Sequence, residues 1–331
     1  MANVADDQLF AHASRISGRT VIITGAANGI GRAAAVEFGK RGAKVVIGDI
    51  DLDGAEDLVA EIKKAGGEAV CQTCNVLEWD ELVSLFQLAE SKFGAVDVVV
   101  ANAGVTEAGH FTTIKLDEKG VPTKPNLKTL QINLISVVQT TRLALHYLRQ
   151  NKNETSPKAI VLIGSMASLS GITGAPMYGA AKHGVLGFMR ALKDELALEK
   201  IRIAAVTPWF ADTAIVPLAL KAVMAGIPLT PVPRIAGAIF LAATDKEPDT
   251  NGAVYSLPDD REVFQIPNVQ LNEGVYTLIN NRSKRIFSMV ENFKITFGIV
   301  GLVWGSKVVK LTALGILGYY AVTLSKDRGV L

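Results

Sequence analysis

Short runs of consecutive apolar residues recur along most of the chain, and most of them are followed by a longer amphipathic stretch. The runs predict strands at 20–25, 44–49, 69–75, 96–101, 159–164, 201–206 and 253–257. Apolar residues spaced three or four apart predict helices at 32–41, 52–65, 78–93, 127–149 and 177–199. Strands that are apolar throughout are covered on both faces, so the alternation predicts an α/β fold with a parallel, doubly wound sheet of about seven strands.

Two long connections interrupt this alternation. Residues 105–126 follow the fourth strand and are polar, whereas 208–233 follow the sixth strand, are rich in proline and contain an apolar, helix-like patch. Both leave the carboxyl ends of strands, where ligands bind in open α/β sheets. The second connection is the better candidate for a lid, and its apolar residues favour an apolar substrate.

The turn after the first strand has the composition of a phosphate-binding loop. The sequence T-G-A-A-N-G-I-G fills 24–31, between a predicted strand and a predicted helix. Glycines at these places allow a tight turn and bring backbone N–H groups close to a pyrophosphate at the helix N-terminus. The alternative, a plain strand–helix turn, is disfavoured by this context. The candidate cofactor residues here are Thr24, Gly25, Asn28, Gly29, Ile30 and Gly31.

Asp49 ends the second strand and is the candidate selector of the cofactor. A carboxylate at this place accepts hydrogen bonds from the adenosine ribose and repels a 2′-phosphate. Residues 26–31 and 45–52 contain no Lys or Arg that would counter the repulsion. NAD is therefore favoured over NADP. A solvated acidic turn is the competing interpretation, and it applies better to Asp51 and Asp53.

Tyr178 and Lys182 stand one helical turn apart near the start of a predicted helix, with Pro176 in its first turn. Side chains at positions i and i+4 share one face of a helix. An ammonium near a phenol stabilises the phenolate, so the pKa of Tyr178 is expected to fall toward neutrality and suit proton transfer. The pattern Y-x-x-x-K also occurs by chance on surface helices, so it gains weight only if a cofactor site converges on it.

Together these motifs resemble the short-chain dehydrogenase/reductase family over roughly residues 17–262. The resemblance rests on T-G-x-x-x-G-x-G at 24–31, N-A-G at 102–104, Asn133, Ser165 at the end of the fifth strand, and Y-x-x-x-K at 178–182. The run P-W-F-A-D-T and the inserted loop at 105–126 are most similar to fungal and prostaglandin-dehydrogenase-like members.

The resemblance implies a catalytic set of four residues. Tyr178 would be the general acid/base at the substrate oxygen, and Lys182 would lower its pKa and bind the nicotinamide ribose. Ser165 would position the carbonyl or alcohol, and Asn133 would hold a water that leads protons away from Lys182. Ser168, Ser170 and His183 match no family role and are assigned to packing or loop structure, and His110 and His146 are assigned no role.

The family also implies contacts along the cofactor cleft. The matching positions are Asn75, Val76, Asn102, Ala103, Gly104, Pro208 and Thr213. Two positions depart from the family pattern: Asn75 replaces the usual Asp, and Trp209 replaces the usual Gly after Pro208. Asn75 can still bind an adenine edge. Trp209 either narrows the pocket or packs outward.

These motifs favour an NAD-dependent oxidoreductase that interconverts a secondary alcohol and a ketone on a hydrophobic small molecule. One alternative is an enzyme of the same fold with net non-redox chemistry, such as an epimerase or cyclase. Another is a non-catalytic, membrane-bound binding protein, which the complete catalytic set disfavours. By analogy, the helices at 127–149 and 177–199 are expected to form a homodimer or homotetramer.

Composition narrows the remaining classes. Hydrophobic residues make up 49% and charged residues 20%, which is typical of a chain with a buried core. A net charge of +2 without a basic stripe gives no case for a nucleic-acid partner. No apolar run opens the chain, so an intracellular location is expected. Cys71 and Cys74 lack further ligands nearby, so packing is favoured over a metal site.

After about residue 262 the family resemblance ends, and the chain continues into a long apolar segment. We divide the chain into an N-terminal extension (1–16), a catalytic domain (17–265), a linker (266–294) and an apolar tail (295–325), in which Lys307 and Lys310 are the only charges. The stretches of the tail on either side of these two lysines are shorter than the ~20 apolar residues of a spanning helix. A lysine at the bilayer centre also costs about 2.5–3.5 kcal/mol. An interfacial helix or shallow hairpin on a membrane surface is therefore expected; the alternative is an arm packed on a partner subunit.

Overall fold

The apolar runs of the sequence form the strands of one sheet in the computed structural model. The structure describes residues 2–211, 213 and 226–266, together with 282, 285, 288 and 289. In these residues the strands are β1 Ala2–Val4, β2 Thr20–Thr24, β3 Lys44–Asp49, β4 Glu68–Thr73, β5 Val98–Ala101, β6 Ala159–Ile163, β7 Arg202–Pro208, β8 Val254–Leu257 and β9 Val263–Ile266. They pair in the order β1-β9-β8-β7-β6-β5-β2-β3-β4.

The strands from β4 to β8 in this order are all parallel, and they correspond to the predicted strands. β2 lies between β3 and β5, so the chain winds outward from β2 in both directions. A crevice therefore opens beyond the carboxyl ends of β2 and β5, which is where sheets of this kind bind ligands. The predicted α/β, doubly wound fold class is confirmed.

The central strands are largely apolar because helices cover both faces of the sheet. On β2, Val21 and Ile23 pack into one core and Ile22 into the other, and all three are fully buried. One core includes residues of α1, α2 and α7, and the other includes residues of α3, α5 and α6. The helices are α1 Gly29–Lys40, α2 Leu52–Lys64, α3 Trp79–Phe93, α4 Lys128–Leu130, α5 Ser136–Gln150, α6 Pro176–Leu198 and α7 Val232–Thr244.

One edge of the sheet differs from the prediction. β9 runs antiparallel to β8, and β1 runs antiparallel to β9, so the sheet carries two strands beyond those predicted. The segment that the sequence sets apart as an N-terminal extension thus contributes a strand. Asp6 accepts two hydrogen bonds from the Arg234 guanidinium, both at 2.7 Å, and Leu9 packs against Gly237 on α7. These strands escaped prediction because they are short and lack a continuous apolar run.

The helix predicted at 127–149 contains a wider turn. A π-helical turn at Gln131–Ile135 separates α4 from α5, and the Ser136 N–H donates to the Gln131 carbonyl. Single π-helical turns within α-helices are rare, and many of them lie at functional sites. Here the turn contains Asn133, which is fully buried.

Residues 1–269 form one compact unit and 270–331 a second. In the second unit the described residues are Arg282, Arg285, Ser288 and Met289, which are helical. Most of the predicted linker and all of the apolar tail at 295–325 lie outside the described residues. Within the described part of the chain, no helix combines the length and apolarity needed to cross a membrane.

Candidate functional site

A cavity of about 800 Å³ opens at the carboxyl ends of β2, β3, β5, β6 and β7. Its volume falls in the range of small-molecule and cofactor sites. Nearly all of the predicted site residues line it, the exceptions being Thr24 and Asn133, which lie behind its wall. Those that line it are Gly25, Asn28, Gly29, Ile30, Gly31, Asp49, Asn75, Val76, Asn102, Ala103, Gly104, Ser165, Tyr178, Lys182, Pro208 and Thr213.

The glycine turn after β2 is packed too tightly for side chains. Gly25 has a φ of +67°, which favours glycine, and its N–H donates to the Gly48 carbonyl at 2.7 Å. A Cβ at Gly31 would lie 2.4 Å from the Gly25 oxygen and 2.5 Å from Asn102 Nδ2. The Thr213 methyl lies near Gly29, 3.5 Å from where a Cβ would stand. At its three glycines the turn therefore presents backbone to the cavity.

Thr24 and Asn102 fix this turn to the end of β5. Asn102 Nδ2 donates to the carbonyls of Thr24 and Gly25, at 3.0 and 2.7 Å. Thr24 Oγ1 accepts from the Asn102 N–H at 3.1 Å. α1 begins at Gly29, and no side chain of Asn28 caps its first N–H groups. Unpartnered N–H groups at a helix start bind anions, so the cradle fits a pyrophosphate.

Asp49 is held at the edge of the cavity by two backbone donors. Its Oδ2 accepts from the Ala27 N–H at 2.8 Å, and its Oδ1 accepts from the Asp51 N–H at 3.0 Å. Each oxygen of a carboxylate accepts more than one hydrogen bond, so both can also take a ribose hydroxyl. Asp51 has a different task, since its carboxylate caps α2 at Gly54 and accepts from Asn28 Nδ2.

Three of the predicted catalytic residues line the same cavity: Ser165, Tyr178 and Lys182. Ser165 starts a short 3₁₀ turn at Met166–Ser168, where its Oγ accepts from the Ala167 N–H at 3.1 Å. That leaves its hydroxyl proton for Tyr178, whose pKa Ser165 lowers as a hydrogen-bond donor. Lys182 is buried, and its Nζ donates to the Ile163 carbonyl at 2.8 Å and lies 5.7 Å from the centre of the Tyr178 ring.

The predicted direction of the Tyr178 pKa is wrong. Burial raises the pKa of Tyr178 above its usual value, and the hydrogen bond from Ser165 lowers it by less. Burial also lowers the pKa of Lys182, to about 8. Removing water disfavours the charged form of both groups. The Lys182 ammonium is engaged by the Ile163 carbonyl and does not offset the loss of water around the Tyr178 oxygen.

Asn133 makes contacts that the sequence did not indicate. Its Nδ2 donates to the Val105 carbonyl at 2.7 Å, and its Oδ1 accepts from the Val105 N–H at 2.8 Å. Both ends of the amide thus bind the backbone after β5. The side chain therefore fixes this segment, and the water-holding role that the family resemblance implies for Asn133 stays a prediction.

Several residues of the cavity wall were missed or left without a role. Glu107 accepts hydrogen bonds from the backbone N–H groups of Tyr178 and Met177, at 2.7 and 3.3 Å. His110 and Ile172 also line the cavity. The only sequence signal for Glu107 and His110 was their place in the loop that follows a strand at its carboxyl end, where ligands bind.

Trp209 is among the residues that line the cavity. The Trp209 ring meets that of Phe210 edge-on, with centroids 4.8 Å apart. The backbone N–H of Trp209 donates to the Leu257 carbonyl. Phe210 also lines the cavity, and its carbonyl accepts from the Thr230 N–H at 2.8 Å. Within the predicted lid, residues 212 and 214–225 lie outside the described part of the chain.

The remaining polar candidates have structural partners. Ser168 Oγ accepts from the Ser165 N–H at 3.2 Å, and a ring nitrogen of His183 bonds to the Gly179 carbonyl at 2.9 Å. Cys74 is buried, and burial raises the pKa of its thiol to about 12, helped by the nearby carboxylates. A thiol that stays protonated is a poor nucleophile and a poor metal ligand, in keeping with a packing role.

Comparison with known proteins identifies the family of this chain. Residues 19–221 match the family model described as short chain dehydrogenase. The chain is 30% identical over 267 residues to human 15-hydroxyprostaglandin dehydrogenase [NAD(+)], covering 79% of this chain and 94% of that protein. It is 31% identical over 234 residues to the short-chain dehydrogenase/reductase ascJ of Acremonium egyptiacum, covering 70% and 76%.

Among solved structures, the 3-ketoacyl-(acyl-carrier-protein) reductase from Brucella melitensis, complexed with NADH, superposes with a TM-score of 0.62. The two sequences are 28% identical, and the match covers 73% of this chain and 96% of that one. The resemblance drawn from the sequence, including its fungal and prostaglandin-dehydrogenase-like members, is confirmed.

Proposed function

This chain belongs to the short-chain dehydrogenase family, a family of oxidoreductases, and from that premise we propose that it interconverts a secondary alcohol and a ketone with NAD. The observation that carries the proposal is the convergence of Ser165, Tyr178 and Lys182 on the cavity that also contains the glycine turn. The proposed catalytic residues are these three, with Asn133 supporting the wall behind them.

The proposed cofactor is NAD. The turn at 24–31 would hold its pyrophosphate, Asp49 the adenosine ribose, and Thr213 and Pro208 would lie toward the nicotinamide. When bound, the nicotinamide supplies or accepts the hydride. The preference for NAD rests on the Asp49 carboxylate, whose charge disfavours a 2′-phosphate. The human relative is named for NAD(+), and the Brucella structure contains NADH.

The proton steps belong to this chain's own residues. Tyr178 Oη would give its proton to the substrate oxygen in reduction and take it back in oxidation. Ser165, which lowers the pKa of Tyr178 as a hydrogen-bond donor, would stabilise the phenolate formed in reduction. Lys182, buried nearby, supplies positive charge as long as its ammonium stays protonated.

The proposed substrate is a small molecule that is apolar around the reacting carbon. The apolar residues that line the cavity include Val105, Ile172, Trp209 and Phe210. Burial of apolar surface against such side chains contributes about 25 cal/mol per Å². The homo-oligomer and the membrane association of residues 295–325 stay predictions of the sequence.

The test replaces the proposed acid/base. Tyr178→Phe is expected to lower the rate of NADH formation from apolar secondary alcohols by about 10²–10⁴-fold, the range of general acid–base catalysis. Its affinity for NAD, measured by calorimetry, should not change. Tyr147→Phe, in which a core phenol stacked on Phe86 loses its hydroxyl, is the matched control and should keep full turnover. Unchanged turnover in Tyr178→Phe would refute the assignment.

A further inference from the structure

α6, the helix of Tyr178 and Lys182, starts without a cap of its own. Ala175 precedes it and has no side-chain acceptor, and Pro176, its first residue, has no N–H. The first N–H groups that need a partner are therefore those of Met177 and Tyr178. These are the positions that an N-cap side chain normally satisfies.

Glu107 supplies the missing acceptor from a distant part of the chain. One carboxylate oxygen accepts from the Tyr178 N–H at 2.7 Å and the other from the Met177 N–H at 3.3 Å. A negative charge at the start of a helix also interacts favourably with the helix dipole. Glu107 thus occupies the place of an N-cap although it belongs to the loop after β5.

Glu107 is one of three anchor points in a short strip that follows β5. Asn102, at the start of the strip, binds the carbonyls of the glycine turn. Val105, in its middle, is held on both sides by the amide of Asn133. Glu107, at its end, binds the backbone of Tyr178. One strip of backbone therefore joins the cofactor cradle to the proposed acid/base.

We propose that Glu107 is a positioning residue for Tyr178: its carboxylate fixes the first turn of α6 and so sets the place of Tyr178 Oη relative to the cofactor cradle. The inference rests on the proposed function of Tyr178. Proton transfer needs the phenol oxygen within hydrogen-bond distance of the substrate oxygen. A displacement of about 1 Å at such a site can cost roughly 10²-fold in rate.

The test compares Glu107→Ala, Glu107→Gln and the control Glu118→Gln. Glu118 is an exposed glutamate of the same loop, so its change tests the loss of one negative charge there. Hydrogen exchange is followed at the amides of Met177 and Tyr178, and kcat and the KM for NAD are measured with an apolar secondary alcohol. Circular dichroism at the assay temperature establishes that each variant is folded.

In Glu107→Ala the two amides should exchange about 2- to 30-fold faster, as expected for loss of a cap. Its kcat should fall by about 10- to 100-fold while the KM for NAD stays within a factor of about two. Glu107→Gln keeps one oxygen acceptor, so both of its values should lie between those of Glu107→Ala and the wild type. Glu118→Gln should match the wild type in every measurement.

Two results would overturn the proposal. Unchanged exchange in Glu107→Ala would mean that the carboxylate does not cap α6 in solution. Faster exchange with wild-type kcat would mean that the cap does not position Tyr178. If the wild type itself turns over no alcohol or ketone, the proposed function fails, and the capping role of Glu107 stands or falls on the exchange rates alone.

Discussion

Replacing Gly31 by alanine tests the shape of the cofactor cradle. The new methyl would lie 2.4 Å from the Gly25 oxygen, 2.5 Å from Asn102 Nδ2 and 2.9 Å from Ala26 Cα. These atoms cannot easily move apart, because Asn102 Nδ2 donates a hydrogen bond of 2.7 Å to the Gly25 oxygen. The turn must therefore move by about 1 Å to reach an ordinary contact distance of about 3.4 Å.

The size of the effect follows from two opposing terms. Overpacking of this kind costs about 1–3 kcal/mol. Alanine in place of glycine in a helix returns about 0.5–1 kcal/mol. We therefore expect Gly31→Ala to lower the free energy of unfolding by roughly 1 kcal/mol, and by no more than about 2.5 kcal/mol. A displaced turn also loses charge-assisted hydrogen bonds to the pyrophosphate, worth about 1.5–3 kcal/mol each, so NAD affinity should fall roughly 10- to 100-fold.

The matched control is Gly187→Ala on α6. Gly187 is exposed, and no atom lies within 4 Å of the place where its Cβ would stand. The same substitution should here raise the free energy of unfolding by about 0.5–1 kcal/mol and leave NAD binding unchanged. Urea denaturation and calorimetric titration with NAD measure both quantities. Wild-type NAD affinity in Gly31→Ala would refute the placement of the pyrophosphate at this turn.

Two further predictions concern charge. Asp49→Asn removes the carboxylate charge, worth about 1–2 kcal/mol in a partly exposed site, so the ratio of kcat/KM for NADP over NAD should rise roughly tenfold; an unchanged ratio would argue against Asp49 as the selector. Burial lowers the pKa of Lys182 from 10.5 to about 8, so between these values the unfolded chain binds more protons and stability should rise with pH. From pH 7.5 to 9.5 the rise should be about 2 kcal/mol by urea denaturation, and Lys182→Met should lack it.

Most of the parallel strands were predictable because they are apolar runs that alternate with helices along the chain. Val21, Ile22 and Ile23 show the reason, since neighbouring residues on one strand enter opposite cores. The antiparallel edge was not predictable. Ala2–Val4 is a strand only because β9 offers it hydrogen bonds, and three residues carry no periodicity of their own.

The candidate site likewise has features that were predictable from the sequence and features that were not. The glycine turn and the pair Tyr178 and Lys182 are local patterns, so their spacing alone indicates their geometry. The hydrogen bond between Glu107 and the Tyr178 N–H joins residues that are far apart in the sequence. Neither segment contains a local pattern that predicts this contact. The direction of the Tyr178 pKa depends on how much water its surroundings exclude, which spacing along a helix does not determine.

The most direct test of the account follows the hydrogen and the proton separately. An apolar secondary alcohol carrying deuterium on its carbinol carbon is mixed with enzyme and NAD in a single turnover, and the recovered NADH is analysed by mass spectrometry. We expect deuterated NADH and ketone in equal amounts from the wild type, and neither from Tyr178→Phe at the same NAD occupancy. Deuterated NADH formed at the wild-type rate by Tyr178→Phe would mean that Tyr178 is not the acid/base of hydride transfer.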